Sequence, residues 1–247
     1  HSIQLSYGRV EKSAFMDNEL QQQLVLTSAN SINVARFLPQ AFYYFNAYAQ
    51  LTDKNTNVVF SVPSGNFGNL TAGLFALKMG LPVSRFMAAN NRNDVVYHYL
   101  QTGKFTPRPS VATIANAMDV GDPSNFARIL ELYQHNHAQI SAIMQGTTYS
   151  NDQIRETMAQ VFRTTGYLTD PHGAVGYRAL KEKLQPGETG IFLETAHPAK
   201  FTETVEEIVG KGKVPMPERL KAFLEGEKQS NALSPAYSDF REYLSHL

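Results

Sequence analysis

Apolar positions change their period several times along the chain, and each change predicts an element. From Val58 to Val62 β-branched and aromatic residues run together without a charge, which predicts a buried strand. Directly downstream, Leu70, Gly73, Leu74 and Leu77 recur at helical spacing over Asn69 to Gly80, and Gly80 supplies a stop. Upstream, Ile32, Ala35, Phe37, Leu38, Ala41, Phe42, Phe45, Tyr48 and Ala49 mark a long amphipathic stretch, which Pro39 is expected to kink or break. The run Phe42-Tyr43-Tyr44-Phe45 reads as core packing. Pro82 to Ala89 predicts a second strand, and Asn90 to Asp94 a polar loop that caps a short helix over Val95 to Leu100. Further helices are predicted through Ile129, Leu130 and Leu132, over Asn151 to Phe162, and from Thr169-Asp170-Pro171 onward, with Pro in the first turn. Thr189 to Leu193 is a third strand, Phe201 to Val209 a helix, 210–219 an exposed linker, and 220–224 and 240–244 terminal helices. Near the start, Asp17-Asn18-Glu19 marks a helix start or a turn.

Strands at 58–62, 83–88 and 189–193, separated by helices, predict an α/β fold whose parallel sheet is covered on both faces. In such sheets ligands collect beyond the carboxyl ends of the strands. The loops 63–69 and 194–200 both fall there.

Composition narrows the class. With 247 residues the chain is long enough for a sizeable core. Lys plus Arg equal Asp plus Glu at 22 each, so no strong field points to nucleic acid or an anionic membrane. The absence of cysteine excludes disulfides, thiolate nucleophiles and Cys-based metal sites. No apolar run nears the roughly 18 residues of a membrane span and no signal-peptide pattern opens the chain, which makes the cytoplasm the expected setting. The chain opens at His1-Ser2-Ile3 without a methionine, so a trimmed chain is expected.

The chemistry concentrates in Pro63-Ser64-Gly65-Asn66-Phe67-Gly68-Asn69. A strand, a Gly-rich turn and a helix start make an anion site, because the first helical N–H groups lack partners and the dipole leaves that end partly positive. The turn holds no Lys or Arg, so a phosphate there is expected on backbone N–H groups with Ser64 and Asn66. It matches neither the P-loop nor the dinucleotide fingerprint. Taken alone, it is either an anion cradle or a plain strand-to-helix turn. The coincidence of two such loops at strand ends favours a phosphate-bearing ligand. Asn116 to Phe126 is dense in oxygens; helix capping by Asp122, Ser124 or Asn125 is preferred over a cation site. His135 and His137, at i and i+2, point to different helix faces and are not expected to pair on a metal.

Five segments then carry a resemblance. Leu26-Thr27-Ser28-Ala29-Asn30-Ser31-Ile32-Asn33, Ser64-Gly65-Asn66-Phe67-Gly68-Asn69, Asn116-Ala117-Met118-Asp119-Val120, Asp170-Pro171-His172 and Thr195-Ala196-His197-Pro198-Ala199-Lys200-Phe201 stand in the order found in the longer form of the threonine synthase family. The resemblance implies an open, mostly parallel sheet flanked by helices, the tryptophan-synthase-β-like fold type II of pyridoxal-phosphate enzymes. It implies the cofactor pyridoxal 5'-phosphate and a carbon–oxygen lyase activity of threonine biosynthesis, in which O-phosphohomoserine and water give threonine and phosphate. By the same resemblance Gly65, Asn66, Phe67, Gly68 and Asn69 cradle the cofactor phosphate, and the Thr195 hydroxyl meets the pyridine nitrogen. Ser28, Asn30, Ser31 and Asn33 line the mouth of the site and His197 orients its turn. Lys200 is either a contact for the substrate phosphate or a surface cation.

One feature departs from the family. Its cofactor-anchoring lysine, in a Phe-Lys-Asp-like motif of the N-terminal part, has no counterpart here. The 247 residues are therefore expected to be the C-terminal cofactor-binding portion, 1–247, with 210–247 as linker and C-terminal helices, and to be inactive alone as a monomer or weak homodimer. Another fold type II enzyme, dehydratase or cysteine-synthase-like, and a non-catalytic phosphate-binding module are the alternatives.

Overall fold

The computed structural model describes residues 13–27, 33–226 and 232–246. It contains helices α1 (Asn18–Gln23), α2 (Val34–Phe37), α3 (Ala41–Ala49), α4 (Gly68–Lys78), α5 (Val95–Thr102), α6 (Phe126–Leu132), α7 (His137–Ile143), α8 (Asn151–Thr165), α9 (Pro171–Lys183), α10 (Thr202–Val209), α11 (Glu218–Leu224) and α12 (Tyr237–Ser245). The strands are β1 (Asn57–Pro63), β2 (Arg85–Asn90), β3 (Met144–Thr148) and β4 (Glu188–Phe192).

The chain divides into two compact units, Asn30–Pro217 and His1–Ala29 with Glu218–Leu247. In the second, Ala14 and Leu20 pack with Phe240 and Leu244. Asp17 caps α1 and also accepts from Tyr237 Oη at 2.7 Å and Arg241 Nε at 2.8 Å.

In the larger unit the strands run parallel in the order β3-β2-β1-β4. Alternation along β1 sends its two faces into different cores. Val58, Phe60 and Val62 join Tyr44, Leu70, Leu74, Phe86 and Phe126 beneath α3 to α7. Val59 joins Met87, Met158, Ala174, Val175 and Val205 beneath α8 to α10. The sheet is thus covered on both faces, as the strand–helix alternation predicts, and its strands are all parallel.

Several expectations need correction. β3, Met-Gln-Gly-Thr-Thr, lay outside the predicted strands, because one apolar residue in five gives no strand period. The second strand starts at Arg85 rather than in the Pro82–Ser84 segment. Of the aromatic run only Tyr44 is fully buried; Phe42 and Tyr43 are 70% and 56% exposed. Asn125 occupies the N-cap position of α6 without a side-chain cap, and Asp94 likewise at α5, where its carboxylate takes Arg108 instead. Pro39 does interrupt the long stretch, as a 3-10 turn over Leu38–Gln40 between α2 and α3. His135 binds Glu131, whereas His137 binds the carbonyls of Tyr99 and Leu100.

Candidate functional site

The chain steps from β1 to β2 to β3 in one direction and then crosses back to place β4 on the other side of β1. The segments that leave β1 and β4 therefore diverge to opposite faces, α4 to one core and α10 to the other. A crevice has to open between them, at the carboxyl ends of the strands. It holds a cavity of ≈ 500 Å³ with Gly65, Asn66, Phe67, Gly68 and Asn69 on one wall and Leu193, Glu194 and Thr195 on the other. Gln40, Tyr43, Pro63, Ala117, Met118 and His172 complete the lining.

The first wall is a turn held from three directions. Ser64 is turned back on the sheet: its N–H donates to Ala89 O and its hydroxyl to Val62 O, both at 2.8 Å. Gly65 is pressed on the 3-10 turn Asn116–Met118, where a Cβ would lie 2.6 Å from Met118 Cα, so only glycine lets the backbone pass. Asn66 Oδ1 accepts from Ser124 N at 2.7 Å and from Ser124 Oγ at 3.1 Å. Phe67 adopts the left-handed region (φ 61°, ψ 10°), rare for a bulky residue, and is kept there by burial against Phe126. No side chain caps α4. The amides of Gly68 and Asn69 are thus donors without an intrahelical acceptor, at the positive end of an 11-residue helix. Beneath them Tyr44 shares its hydroxyl proton between Asn69 O (2.9 Å) and Asn69 Oδ1 (2.7 Å). Because Oδ1 accepts, the amide nitrogen is the edge of Asn69 turned away from Tyr44.

The opposite wall is anchored to the start of α9. Asp170 caps that helix, its Oδ1 accepting from His172 N (2.7 Å), Gly173 N (3.4 Å) and His172 Nδ1 (2.5 Å). His172 Nε2 accepts from Ala117 N at 3.2 Å, so the ring is held as the Nδ1–H tautomer and ties α9 to the turn that touches Gly65. Glu194 Oε1 accepts from Asp170 N at 3.0 Å. Burial pushes the Glu194 carboxyl up to about 8; the Asp170 amide pulls it down and the Asp170 carboxylate raises it again.

The loop residues Gly65 to Asn69 and Thr195 meet across one cavity, while Ser64 supports the turn from behind. His197 caps the 3-10 turn Pro198–Phe201, its Nδ1 accepting from Ala199 N at 3.1 Å. Lys200 is exposed, 5.9 Å from the centre of the Phe201 ring. Asn33 caps α2 through Ala35 N. Ser28, Asn30 and Ser31 lie outside the described residues. Sequence reasoning missed Glu194, His172 and Tyr43 as lining residues and Tyr44 as a support. Glu194 stands directly after a predicted strand and His172 in a helix-start motif, so position alone could have flagged both.

Residues 9–194 match the family profile described as pyridoxal-phosphate dependent enzyme, and residues 173–243 that of the threonine synthase C-terminal region. A threonine synthase from Haemophilus influenzae is 47% identical over 234 residues, 94% of this chain and 54% of that protein. The crystal structure of threonine synthase from Escherichia coli superposes with a TM-score of 0.89 at 43% identity, over 97% of this chain and 55% of that one. The pyridoxal-phosphate-bound threonine synthase from Brucella melitensis gives 0.85 at 31%, over 97% and 56%. The chain spans about half the length of the relatives it matches.

Proposed function

The chain belongs to the family of pyridoxal-phosphate dependent enzymes, and on that premise we propose that its crevice holds pyridoxal 5'-phosphate for the threonine synthase reaction, O-phosphohomoserine and water giving threonine and phosphate. The observation that carries this is the turn at 65–69: a glycine that admits no Cβ, followed by helix-start amides without intrahelical acceptors, on one wall of a small-molecule-sized cavity. These residues fit a phosphate monoester.

The Gly65, Phe67, Gly68 and Asn69 backbone takes the phosphate, Asn66 locks the turn to Ser124, and Ser64 and Tyr44 hold it from behind. Thr195, across the cavity, offers a hydroxyl to the pyridine nitrogen. The bound cofactor supplies an electron sink for proton shifts along the substrate carbon chain. His197 shapes the turn that carries Lys200 toward the substrate phosphate; Asn33, with Ser28, Asn30 and Ser31, contributes to the mouth. We assign residues 1–247 to a cofactor-binding portion, with 210–247 as its linker and C-terminal helices, in a cytoplasmic monomer or weak homodimer.

No lysine lines the cavity among the described residues. Covalent anchoring and the accompanying acid–base work need such an amine. The 247 residues by themselves are therefore proposed to bind the cofactor without turning over substrate; acting as a phosphate-binding module is the second reading this favours. Titration with pyridoxal phosphate, followed by borohydride and mass spectrometry, tests both. Saturable binding that inorganic phosphate competes away, with no mass retained after reduction, is expected. Binding that phosphate does not displace refutes the site, and phosphate release from O-phosphohomoserine by this chain alone refutes the inactivity.

A further inference from the structure

Glu194 lines the cavity, yet its carboxyl turns onto the start of α9. Its Oε2 occupies the room left by Gly173, where a Cβ would lie 2.1 Å away. Asp170 uses Oδ1 for every hydrogen bond that caps α9 and holds His172. That leaves Asp170 Oδ2 and Glu194 Oε2, both buried and both without a hydrogen-bond partner among the described residues. A buried acceptor left unmade is costly, and two neighbouring carboxyls that are both ionised repel. A single proton between them answers both problems.

We propose that Glu194 carries this proton and donates it to Asp170, so that a protonated acid bonded to a carboxylate, rather than two repelling carboxylates, fixes the β4 end and makes Glu194 the positioning residue for Thr195. The proton stays on Glu194 because Asp170 is already the acceptor for three donors on Oδ1. The titratable groups facing the pair are His172 on α9 and Tyr167 just before it, whose hydroxyl is raised by burial and then by the charges on Glu194 and Asp170. No Lys or Arg lines the cavity among the described residues. Loss of the proton sets two negative groups against each other and loosens the wall that carries Thr195. The consequence for ligand binding rests on the proposed cofactor reading; the shared proton does not.

The test uses the full chain with Glu194→Gln, which keeps a donor toward Asp170, and Glu194→Ala, which keeps none. Infrared difference spectra are expected to show a carboxylic-acid C=O band well below pH 8 that fades well above it and is missing in both variants. Pyridoxal-phosphate affinities are compared as ratios between proteins at the same pH, so the ligand's own titration cancels. Glu194→Gln should match the parent at low pH and exceed it by about tenfold above pH 8, with Glu194→Ala about tenfold weaker than Glu194→Gln throughout. A parent spectrum without the band, or parent and Gln variant with parallel affinity profiles, overturns the proposal. Failure of all three proteins to bind pyridoxal phosphate overturns the cofactor reading instead, and the infrared band then decides the shared proton alone.

Discussion

At the scale of single residues, Tyr44 is the clearest case of a role set by partners distant in sequence. Its ring meets Phe60 edge-on at 4.9 Å and Phe86 at 5.9 Å, and its hydroxyl reaches Asn69, 25 positions away. A run of four aromatics says that some will be buried; which one is buried depends on the helix face, and the hydroxyl's partner depends on the fold. Tyr44→Phe is expected to cost about 1–3 kcal/mol in urea unfolding, since Asn69 loses a buried donor, and to weaken phosphate binding in a parallel titration. Gly65 was legible, because a glycine between a strand end and a helix start marks a backbone that turns too sharply, or runs too close to a neighbour, for a Cβ. Gly65→Ala should drive Met118 aside, destabilise by about 1–3 kcal/mol, and abolish competition between inorganic phosphate and pyridoxal phosphate measured by fluorescence. Glu194 was legible only by its position at a strand end: its role comes from Asp170 and from the space over Gly173, and neither is a neighbour in the chain.

At the scale of elements, the central strand and the helices with strong periodicity were readable from sequence, β1 and α4 to within about two residues. β3 was not, because an edge strand of small and polar residues is specified by what packs on it rather than by its own pattern. Caps followed the same division. Asp170 before Pro171 announced α9, and its side chain does accept the first amides. The oxygens at 122–125 did not cap α6, since Ser124 is taken by Asn66. Helix α8 offers a control remote from the cavity: Ser150 and Gln153 form a reciprocal capping box. Ser150→Ala should lower stability by about 1 kcal/mol in chemical unfolding and leave pyridoxal-phosphate affinity as it was.

At the scale of the whole molecule, the raised carboxyl of Glu194 links folding to pH. Between its ordinary 4.5 and about 8 the unfolded chain has released the proton that the folded chain keeps. Raising pH through that window therefore removes stability, and above it the slope vanishes. Thermal midpoints of the parent should fall relative to those of Glu194→Gln across the window and run parallel beyond it. The order of the strands was legible only in part, since three predicted strands cannot reveal where the chain reverses; the reversal beside β1 is what brings the two loops together. A cleft walled by amide dipoles, with no Lys or Arg in its lining among the described residues, has a further consequence. Mobile ions screen separated charges over roughly 8 Å at physiological ionic strength but hardly touch hydrogen bonds made at contact. Adding sodium chloride should therefore barely change how tightly the phosphate is held, whereas a grip built on lysines would slacken steadily.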